Sequence, residues 1–221
     1  MQQKRDIKID KVLADQFEKY MRNYPMLYGY LADIIVKYIP KSSKKPIVVD
    51  IGTGPGLLLV ELHKLSSQIK TIGLDLSINM LTIAKNNLIK IVKEPHLLLA
   101  KAENIPLNNA SVDVVVSRFS LSSWDEPGQC FAEIFRVLKP NGKLVLEVLN
   151  KDFPRWKLLL IKFHMMVKGA EKRVIRYHID YYKNAYSISK VEQILIKTGF
   201  KIIKKEGSKK EWKFLIISEK H

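Results

Sequence analysis

Residues 48–62 read Val48-Val49-Asp50-Ile51-Gly52-Thr53-Gly54-Pro55-Gly56-Leu57-Leu58-Leu59-Val60-Glu61-Leu62. The apolar run before Asp50 is rich in β-branched residues and predicts a strand. Three glycines follow at every second position, and the leucine-rich end predicts a helix. A strand that turns through glycines into a helix directs free backbone N–H groups and the positive end of the helix dipole toward a crevice. The stretch therefore predicts a ligand-binding α/β unit, with a plain structural turn as the alternative.

The glycine spacing is G-x-G-x-G, with an acid two residues before the first glycine. The dinucleotide fingerprint is G-x-G-x-x-G, so the spacing favours another cofactor over a nicotinamide. It resembles motif I of the class I methyltransferases that use S-adenosylmethionine. By that resemblance the loop binds S-adenosylmethionine through Asp50, Gly52, Thr53, Gly54 and Gly56.

A second strand is predicted over residues 71–75, and it ends in an acid twenty-five residues after Asp50. An acid at this place can accept hydrogen bonds from ribose hydroxyls. Alternatively, Asp75 and the cap residue Ser77 stabilise the start of the next helix, and both roles are compatible. The segment also resembles the second motif of the family, which implies that Asp75 binds the ribose and that Leu76 and Met80 belong to the cofactor site, with Met80 against the adenine.

The third predicted strand, residues 96–99, leads into Ala100-Lys101-Ala102-Glu103-Asn104-Ile105-Pro106. This segment resembles the adenine-binding turn of the family. Lys101 stands where the family has an aspartate that accepts the adenine amino group. Two alternatives remain: Glu103 supplies the carboxylate, or the Ala102 backbone and apolar stacking hold the ring.

Residues 111–117 form a continuous apolar run that predicts a buried parallel strand. The ligand crevice of an open parallel sheet lies at the carboxyl ends of its strands, so Ser117 and Arg118 are expected to face the methyl group of the cofactor. A helix is predicted over 129–138, a turn at Lys139-Pro140-Asn141-Gly142 and a strand over 143–149. Residues 136–143 resemble the R-V-L-K-P-G-G segment of the same family.

Two helices are predicted before the first strand, over residues 7–24 and 28–39, which end at prolines. Their tyrosines, including Tyr20, either close over the cofactor or simply pack on the core. After residue 150 a helix is predicted from residues 153–156, with Pro154 in its first turn, to Val167. It alternates apolar residues with lysines, as an interfacial helix or a packed helix with extended lysines would. The family places acceptor recognition in this segment, which makes His178 and Tyr182 catalytic candidates. Tyr20 of the N-terminal helices is a third candidate.

The order of elements predicts an α/β fold: a Rossmann-like, doubly wound, seven-stranded sheet with an antiparallel last strand, N-terminal helices and a helical cap after strand five. We expect one domain over 1–221. Within it, 1–45 form a lid, 46–149 the cofactor core, 150–186 the acceptor cap, and 187–221 the last helix and a terminal hairpin.

The formal charge of +16 is unevenly distributed. Residues 50–150 carry ten basic and ten acidic side chains, whereas residues 151–221 carry eighteen against seven. A basic end suggests an anionic partner, RNA or a membrane surface, although dispersed lysines are also typical of a solvated surface. A single cysteine argues against a disulfide framework or a cysteine zinc site, and no metal site is predicted. No apolar run reaches the ~18 residues of a membrane span, and no signal segment is recognised, so a cytoplasmic protein is expected.

The resemblance implies a methyltransferase that moves the methyl group of S-adenosylmethionine to a small or lipid-like acceptor. A second hypothesis is an RNA- or protein-modifying enzyme that uses the basic C-terminal region. A third is a cofactor-binding, non-catalytic partner subunit.

Overall fold

The computed structural model describes residues 9–221. Within this range the chain forms eight α-helices, seven strands and a short 3-10 turn at Leu121–Ser123. The helices are α1 Lys11–Met21, α2 Pro25–Tyr38, α3 Leu57–Leu65, α4 Ile78–Leu88, α5 Pro127–Val137, α6 Lys157–Val167, α7 Lys172–Lys183 and α8 Ile188–Lys197. The strands are β1 Ile47–Ile51, β2 Lys70–Asp75, β3 His96–Leu99, β4 Val112–Arg118, β5 Leu138–Leu149, β6 Phe200–Glu206 and β7 Lys213–Lys220.

The strands form one sheet in the order β3-β2-β1-β4-β5-β7-β6. Strands β1 to β5 pair in parallel, and β7 pairs antiparallel with both of its neighbours. The strand order reverses between β1 and β4, which is where an open α/β sheet places its ligand crevice. The predicted seven-stranded, Rossmann-like fold with an antiparallel last strand is confirmed.

Alternation along the strands builds an apolar core on each face of the sheet. Val48, Val114 and Val116 pack with α1, α2 and α3 on one face. Val49 and Val115 pack with α5 and α8 on the other. Successive strand residues point to opposite faces, so a strand covered by helices on both sides needs an unbroken apolar run.

Three local predictions differ from the structure. The predicted turn at 139–142 lies inside β5: the pairing jumps from Val112–Leu138 to Val114–Lys143, so these residues bulge from a strand that already begins at Leu138. Asn141 takes a φ of 61° there, which lets the chain rejoin the sheet. The first N-terminal helix ends at Met21 rather than at residue 24, and the second begins at Pro25 rather than at residue 28. Residues 172–183, for which no helix was predicted, form α7.

The predicted lid and cap lie on the same side of the sheet. The start of the predicted first helix, residues 7 and 8, falls outside the described residues. Arg173 of α7 pairs with Asp10, the N-cap of α1, at 2.6 Å between Nη2 and Oδ2. The division into lid, core and cap stays a prediction.

Among residues 9–221, no helix combines the length and the apolar composition that a bilayer crossing requires.

Candidate cofactor site

The glycine loop after β1 is tied by hydrogen bonds to the end of β2. The N–H groups of Gly52 and Thr53 both donate to the carbonyl oxygen of Leu74, at 2.7 and 3.0 Å. The next N–H, from Gly54, donates to Oδ2 of Asp75 at 2.8 Å. The loop therefore has a fixed position relative to the second strand, and the two acids that the sequence singles out lie at one end of the sheet.

Two positions of the loop, Gly52 and Gly54, require glycine for different physical reasons. Gly52 has a φ of 74°, and a Cβ there would lie 2.4 Å from Cβ of Ser120, so no side chain fits. Gly54 has a φ of 52°, yet nothing lies within 4 Å of the place its Cβ would take. The open space beside Gly54 gives a bound molecule access to the backbone. Gly56 also has a positive φ, at the left-handed N-cap of α3.

Asp50 is a buried carboxylate with only 3% of its surface exposed. Burial raises its pKa to about 7, and the nearby carboxylate of Asp75 acts in the same direction. The Thr53 hydroxyl and the Arg118 guanidinium oppose this rise. A cation that enters the crevice would therefore stabilise the ionised form of the Asp50 carboxylate and lower its pKa.

Asp75 holds two segments of backbone. Its Oδ2 accepts from Gly54, and its Oδ1 accepts from the Ser77 N–H at 2.8 Å. Burial raises the pKa of Asp75 against the lowering effect of these N–H groups. Ser77 caps α4, and its Oγ accepts from the Met80 N–H at 3.3 Å. The structure shows this capping role. The Leu76 N–H also meets the carboxylate, and the lone pair left after these three N–H groups can serve the predicted ribose contact.

The rim beyond Asp75 offers apolar surface. Leu76 is 58% exposed, and Leu99, which pairs with Asp75 across β2 and β3, is 59% exposed. Leu99 was not predicted, although its position at the end of β3 could have signalled it. Met80 and Ala102 are only 2% and 5% exposed. An adenine contact with Met80 would require its side chain to turn out of α4, so that role stays a prediction.

The turn after β3 carries Lys101 and Glu103, the two residues that bear on how the adenine would be held. Glu103 directs Oε1 to the N–H groups of Asp125 and Glu126, at 3.0 and 3.4 Å. Burial raises the pKa of Glu103, but these and further hydrogen bonds outweigh it and hold the pKa below its ordinary value. Lys101 Nζ lies 3.7 Å from the exposed carboxylate of Asp125. Glu103 therefore supports the rim, and Asp125 brings a further carboxylate to it.

The residues at the end of β4 hold the glycine loop from the other side. Ser117 is fully buried, and its hydroxyl hydrogen-bonds with that of Ser120. Ser120 Oγ in turn donates to the Ile51 carbonyl at 3.1 Å. Because its hydroxyl is engaged, Ser117 positions the loop, and the predicted cofactor contact would have to use its backbone. Phe119 has a φ of 59°, a strained conformation for a non-glycine residue.

Arg118 lies in a wall of aromatic rings and charges. Its guanidinium lies 4.6 Å from the ring centre of Tyr28 and 4.5 Å from that of Phe119. Its Nε donates to Oε2 of Glu147 at 2.7 Å, and Lys213 pairs with the other carboxylate oxygen. Nη2 of Arg118 is buried and has no hydrogen-bond partner among the described residues. The guanidinium thus keeps donor capacity beside Asp50.

Two further tyrosines extend the aromatic wall along the lid. The hydroxyls of Tyr20 and Tyr24 are 2.9 Å apart, and Tyr24 Oη lies 3.4 Å from Nε2 of His164 on α6. Tyr20 is 6% exposed, and burial raises its pKa. Tyr20 and Tyr24 thus lie side by side, whereas Tyr28 packs against Arg118.

Helix α7 covers the crevice with side chains that the sequence did not single out. Tyr177 and Tyr181 lie 4.6 Å apart between ring centres. Burial raises the pKa of both, and the carboxylate of Asp75 acts in the same direction, which places them on the crevice side. A spacing of four residues puts both rings on one face of the helix. The helix could have been found only by recognising residues 172–183 as helical.

His178 belongs to the same cover. Its ring stacks on Phe17 at 5.5 Å and meets Tyr20 edge-on at 6.0 Å. Its Nδ1 lies 3.0 Å from the Val174 carbonyl oxygen. A carbonyl only accepts, so Nδ1 carries the proton and Nε2 is the acceptor of the neutral ring. Burial lowers the pKa of His178, and the charge of Arg118 adds to this effect.

The side chain of Tyr182 points away from the cover, toward Trp212. Its hydroxyl donates to the Trp212 carbonyl at 2.8 Å, and its ring lies beside Phe153. One residue of helix turns a side chain by about 100°, so Tyr182 cannot share the face of Tyr181. The structure therefore brings His178 and Tyr20 together and leaves Tyr182 with a structural role.

The comparisons agree with this geometry. A family model described as a methyltransferase domain matches residues 49–146. The chain is 31% identical over 179 residues to demethylmenaquinone methyltransferase of Chlorobaculum tepidum, covering 77% of this chain and 68% of that protein. It is 28% identical over 141 residues to a malonyl-[acyl-carrier protein] O-methyltransferase of a Marinomonas species, covering 63% of this chain and about half, 52%, of that protein. A putative S-adenosylmethionine-dependent methyltransferase of Methanococcus maripaludis superposes with a TM-score of 0.72 at 25% identity, covering 100% of this chain and 97% of the other.

A doubly wound sheet with a glycine loop and two acids at its switch point defines a Rossmann-like nucleotide-binding protein. With the relatives above, the chain belongs to the class I S-adenosylmethionine-dependent methyltransferases. S-adenosylmethionine is its cofactor, and the site fits it: Gly54 leaves room beside the backbone, Leu76 and Leu99 offer surface for a ring, and Asp50 favours a cation.

We expect Asp50→Asn to stabilise the protein without ligand. The pKa of Asp50 is about 7 in the folded chain and near 3.8 in the unfolded chain, so the folded chain binds more protons between these values. The free energy of unfolding therefore falls as the pH rises from about 4 to about 7, and the cost is complete above pH 7. One pKa unit corresponds to about 1.4 kcal/mol, so asparagine should add about 4 kcal/mol at pH 8 and about 2 kcal/mol at pH 5, measured by urea denaturation. Asp33→Asn, on an exposed position of α2, is the control. An equal gain at both pH values would contradict the assignment.

Proposed function

We propose that the chain transfers the methyl group of S-adenosylmethionine to a small or lipid-like acceptor by in-line displacement. The observation that supports this most directly is the aromatic cover formed by α1 and α7. Phe17, Tyr20, Tyr177 and His178 contact one another above the crevice. A cover of this kind admits a compact apolar acceptor more readily than a folded macromolecule.

In this proposal, different residues around the glycine loop contact different parts of the cofactor. Asp75 accepts from the ribose hydroxyls, and the Gly54 region of the loop receives the amino-acid part. Asp50 supports the positive charge, while Leu76 and Leu99 enclose the adenine, with Ala102 behind them. Arg118 uses the free donor capacity of its guanidinium at the carboxyl ends of the strands, where the reacting groups meet.

The reaction requires the protein to position the acceptor and the cofactor, and it requires no nucleophile from the protein. The sulfonium of bound S-adenosylmethionine supplies a methyl group that is already activated. The chain has to align the acceptor with that carbon and exclude water, and the tyrosines of the cover serve both purposes. Buried carboxylates near the crevice favour the cationic cofactor over its neutral product.

An acceptor that must lose a proton also needs a base, and His178 is the group best suited to the role. Its Nδ1 proton is committed to the Val174 carbonyl, so Nε2 carries a lone pair. The lowered pKa keeps the ring neutral at physiological pH, as a base must be. Among the three catalytic candidates, Tyr20 then shapes the pocket beside this ring, and Tyr182 has no catalytic part.

The other hypotheses keep specific support. The basic C-terminal region would suit an RNA- or protein-modifying enzyme, and a cofactor-binding partner subunit would use the same fold. An anionic partner and a cytoplasmic location stay predictions.

Methyl-labelled S-adenosylmethionine, the purified protein and a cell extract test the proposal. We expect label in the organic-soluble fraction, because a small or lipid-like acceptor partitions there. Label in RNA or protein would replace the proposal with the macromolecule-modifying hypothesis. Cofactor binding without transfer to any fraction would favour the partner-subunit hypothesis.

We expect Asp75→Ala to weaken S-adenosylmethionine binding by about 10- to 100-fold, since hydrogen bonds to a charged group contribute about 1.5–3 kcal/mol. Calorimetric titration measures the dissociation constant, and circular dichroism checks that the chain stays folded. Asp33→Ala removes the same charge from an exposed position and should leave affinity unchanged. Unchanged affinity in Asp75→Ala would exclude the ribose contact.

For an acceptor that loses a proton, we expect His178→Gln to lower kcat by about 10²- to 10⁴-fold, the usual contribution of a general base. Cofactor affinity should stay the same. In the unsubstituted enzyme, activity should fall as the pH drops through the lowered pKa of His178 and stay level above it. Tyr182→Phe, which loses only the bond to Trp212, should keep kcat. Full activity of His178→Gln would assign His178 to packing alone.

A further inference from the structure

Helix α6 presents large apolar side chains to solvent. Trp156, just before the helix, is 64% exposed, and Phe163 is 63% exposed. Four aliphatic side chains are exposed to a similar degree: Leu159 at 69%, Leu160 at 59%, Met166 at 56% and Val167 at 66%. Only Met165 of this helix is buried. A surface of this size on one short helix is unusual and indicates an interaction site.

The exposed residues form one stripe. At about 100° per residue, these six positions fall within an arc of about 120° on the helix surface. Met165 lies on the opposite side, where it and Ile161 pack against the core that contains α1 and α2. Helix α6 therefore has two apolar faces, and the protein itself covers only one of them.

Basic side chains border the exposed stripe on both sides. Arg155 and Lys162 follow one edge, and Lys157 and Lys168 follow the other, from the same helical spacing. Lys157 Nζ lies 5.5 Å from the Trp156 ring centre, so its chain lies along the apolar surface. Residues 151–176 carry eight basic and two acidic side chains. Apolar side chains flanked by lysines are typical of a helix lying in a bilayer interface.

We propose that the α6 stripe docks the protein on an anionic membrane surface, with the helix parallel to the bilayer. The apolar side chains would enter the boundary between headgroups and acyl chains, and the four basic residues would meet anionic headgroups. A second copy of the chain fits less well, because pairing two such stripes would bring the same positive charges together. RNA fits less well too, since four of the six exposed side chains are aliphatic and cannot stack on bases.

The docking surface is connected to the crevice cover. His164 of α6 lies within 3.4 Å of the Tyr24 hydroxyl, which contacts Tyr20. Docking through α6 would place the cover close to the bilayer, where an acceptor dissolved in lipid could enter the crevice. The entry of an acceptor rests on the proposed function, whereas the docking itself does not.

Vesicle co-sedimentation of the full chain tests the docking without cofactor or acceptor. We expect binding to vesicles of phosphatidylcholine with phosphatidylglycerol and at least tenfold weaker binding to phosphatidylcholine alone. Leu160→Gln/Phe163→Gln/Val167→Gln should weaken binding to the anionic vesicles at least tenfold. The thermal unfolding midpoint should not fall, because all three side chains are more than half exposed.

Two matched controls separate the stripe from general surface effects. Val12→Gln/Ile89→Gln/Ile196→Gln removes exposed apolar side chains on α1, directly after α4 and on α8, and should leave binding unchanged. Lys162→Glu/Lys168→Glu should abolish the preference for anionic vesicles, whereas Lys190→Glu/Lys197→Glu on α8 should keep it. Equal vesicle binding by the stripe variant and the wild type would overturn the proposal. So would a dimer or an RNA complex that the same three substitutions disrupt while vesicles stay unbound.

Discussion

The Leu74 carbonyl oxygen, which accepts from two successive N–H groups of the glycine loop, is the contact on which the site depends. It holds the loop against β2, so Asp75 can take the next N–H, from Gly54. Parallel pairing sets Asp50 beside Gly73, two residues before Asp75. One backbone register thus brings two carboxylates and a glycine turn with positive φ angles to a single edge of the sheet. A side chain at Gly52 would collide with Ser120, so the loop and the end of β4 can only be built together.

The end of β4 carries the main energetic cost of the site. Glu147 is 3% exposed and lies between Arg118 and Lys213, and burying such a group costs stability unless both partners remain. Phe119 adds a left-handed backbone conformation beside it. Buried charges and strain at the carboxyl ends of the strands are consistent with a place where position matters more than stability. The buried apolar residues in the middle of β4 and β5, residues 114–116 and 144–146, offset these costs a few residues away.

Sequence patterns were informative where one local rule governs a segment. The strand over 96–99 is predicted to the residue, because its run of leucines stops at the turn segment that begins at Ala100. The pattern at 139–142 misled, since a proline–asparagine–glycine turn also fits a bulge within β5. Pairings across strands, such as Arg118 with Glu147, depend on register and have no local signal. The same limit separates Tyr181 from Tyr182: packing of α7 on α1 decides which tyrosine faces the crevice.

The uneven distribution of charge along the chain matches the charge of the cofactor. S-adenosylmethionine is a cation, so the overall charge of +16 does not attract it. The core region compensates, because residues 50–150 are neutral overall and Asp50 and Asp75 concentrate negative charge at the loop. The positive excess lies outside this region, mostly after residue 150, where α6 and α7 lie. A field that is negative at the loop and positive after residue 150 would draw a cationic cofactor toward the crevice and, in the proposed docking, an anionic membrane surface toward α6, so the two kinds of binding would not compete.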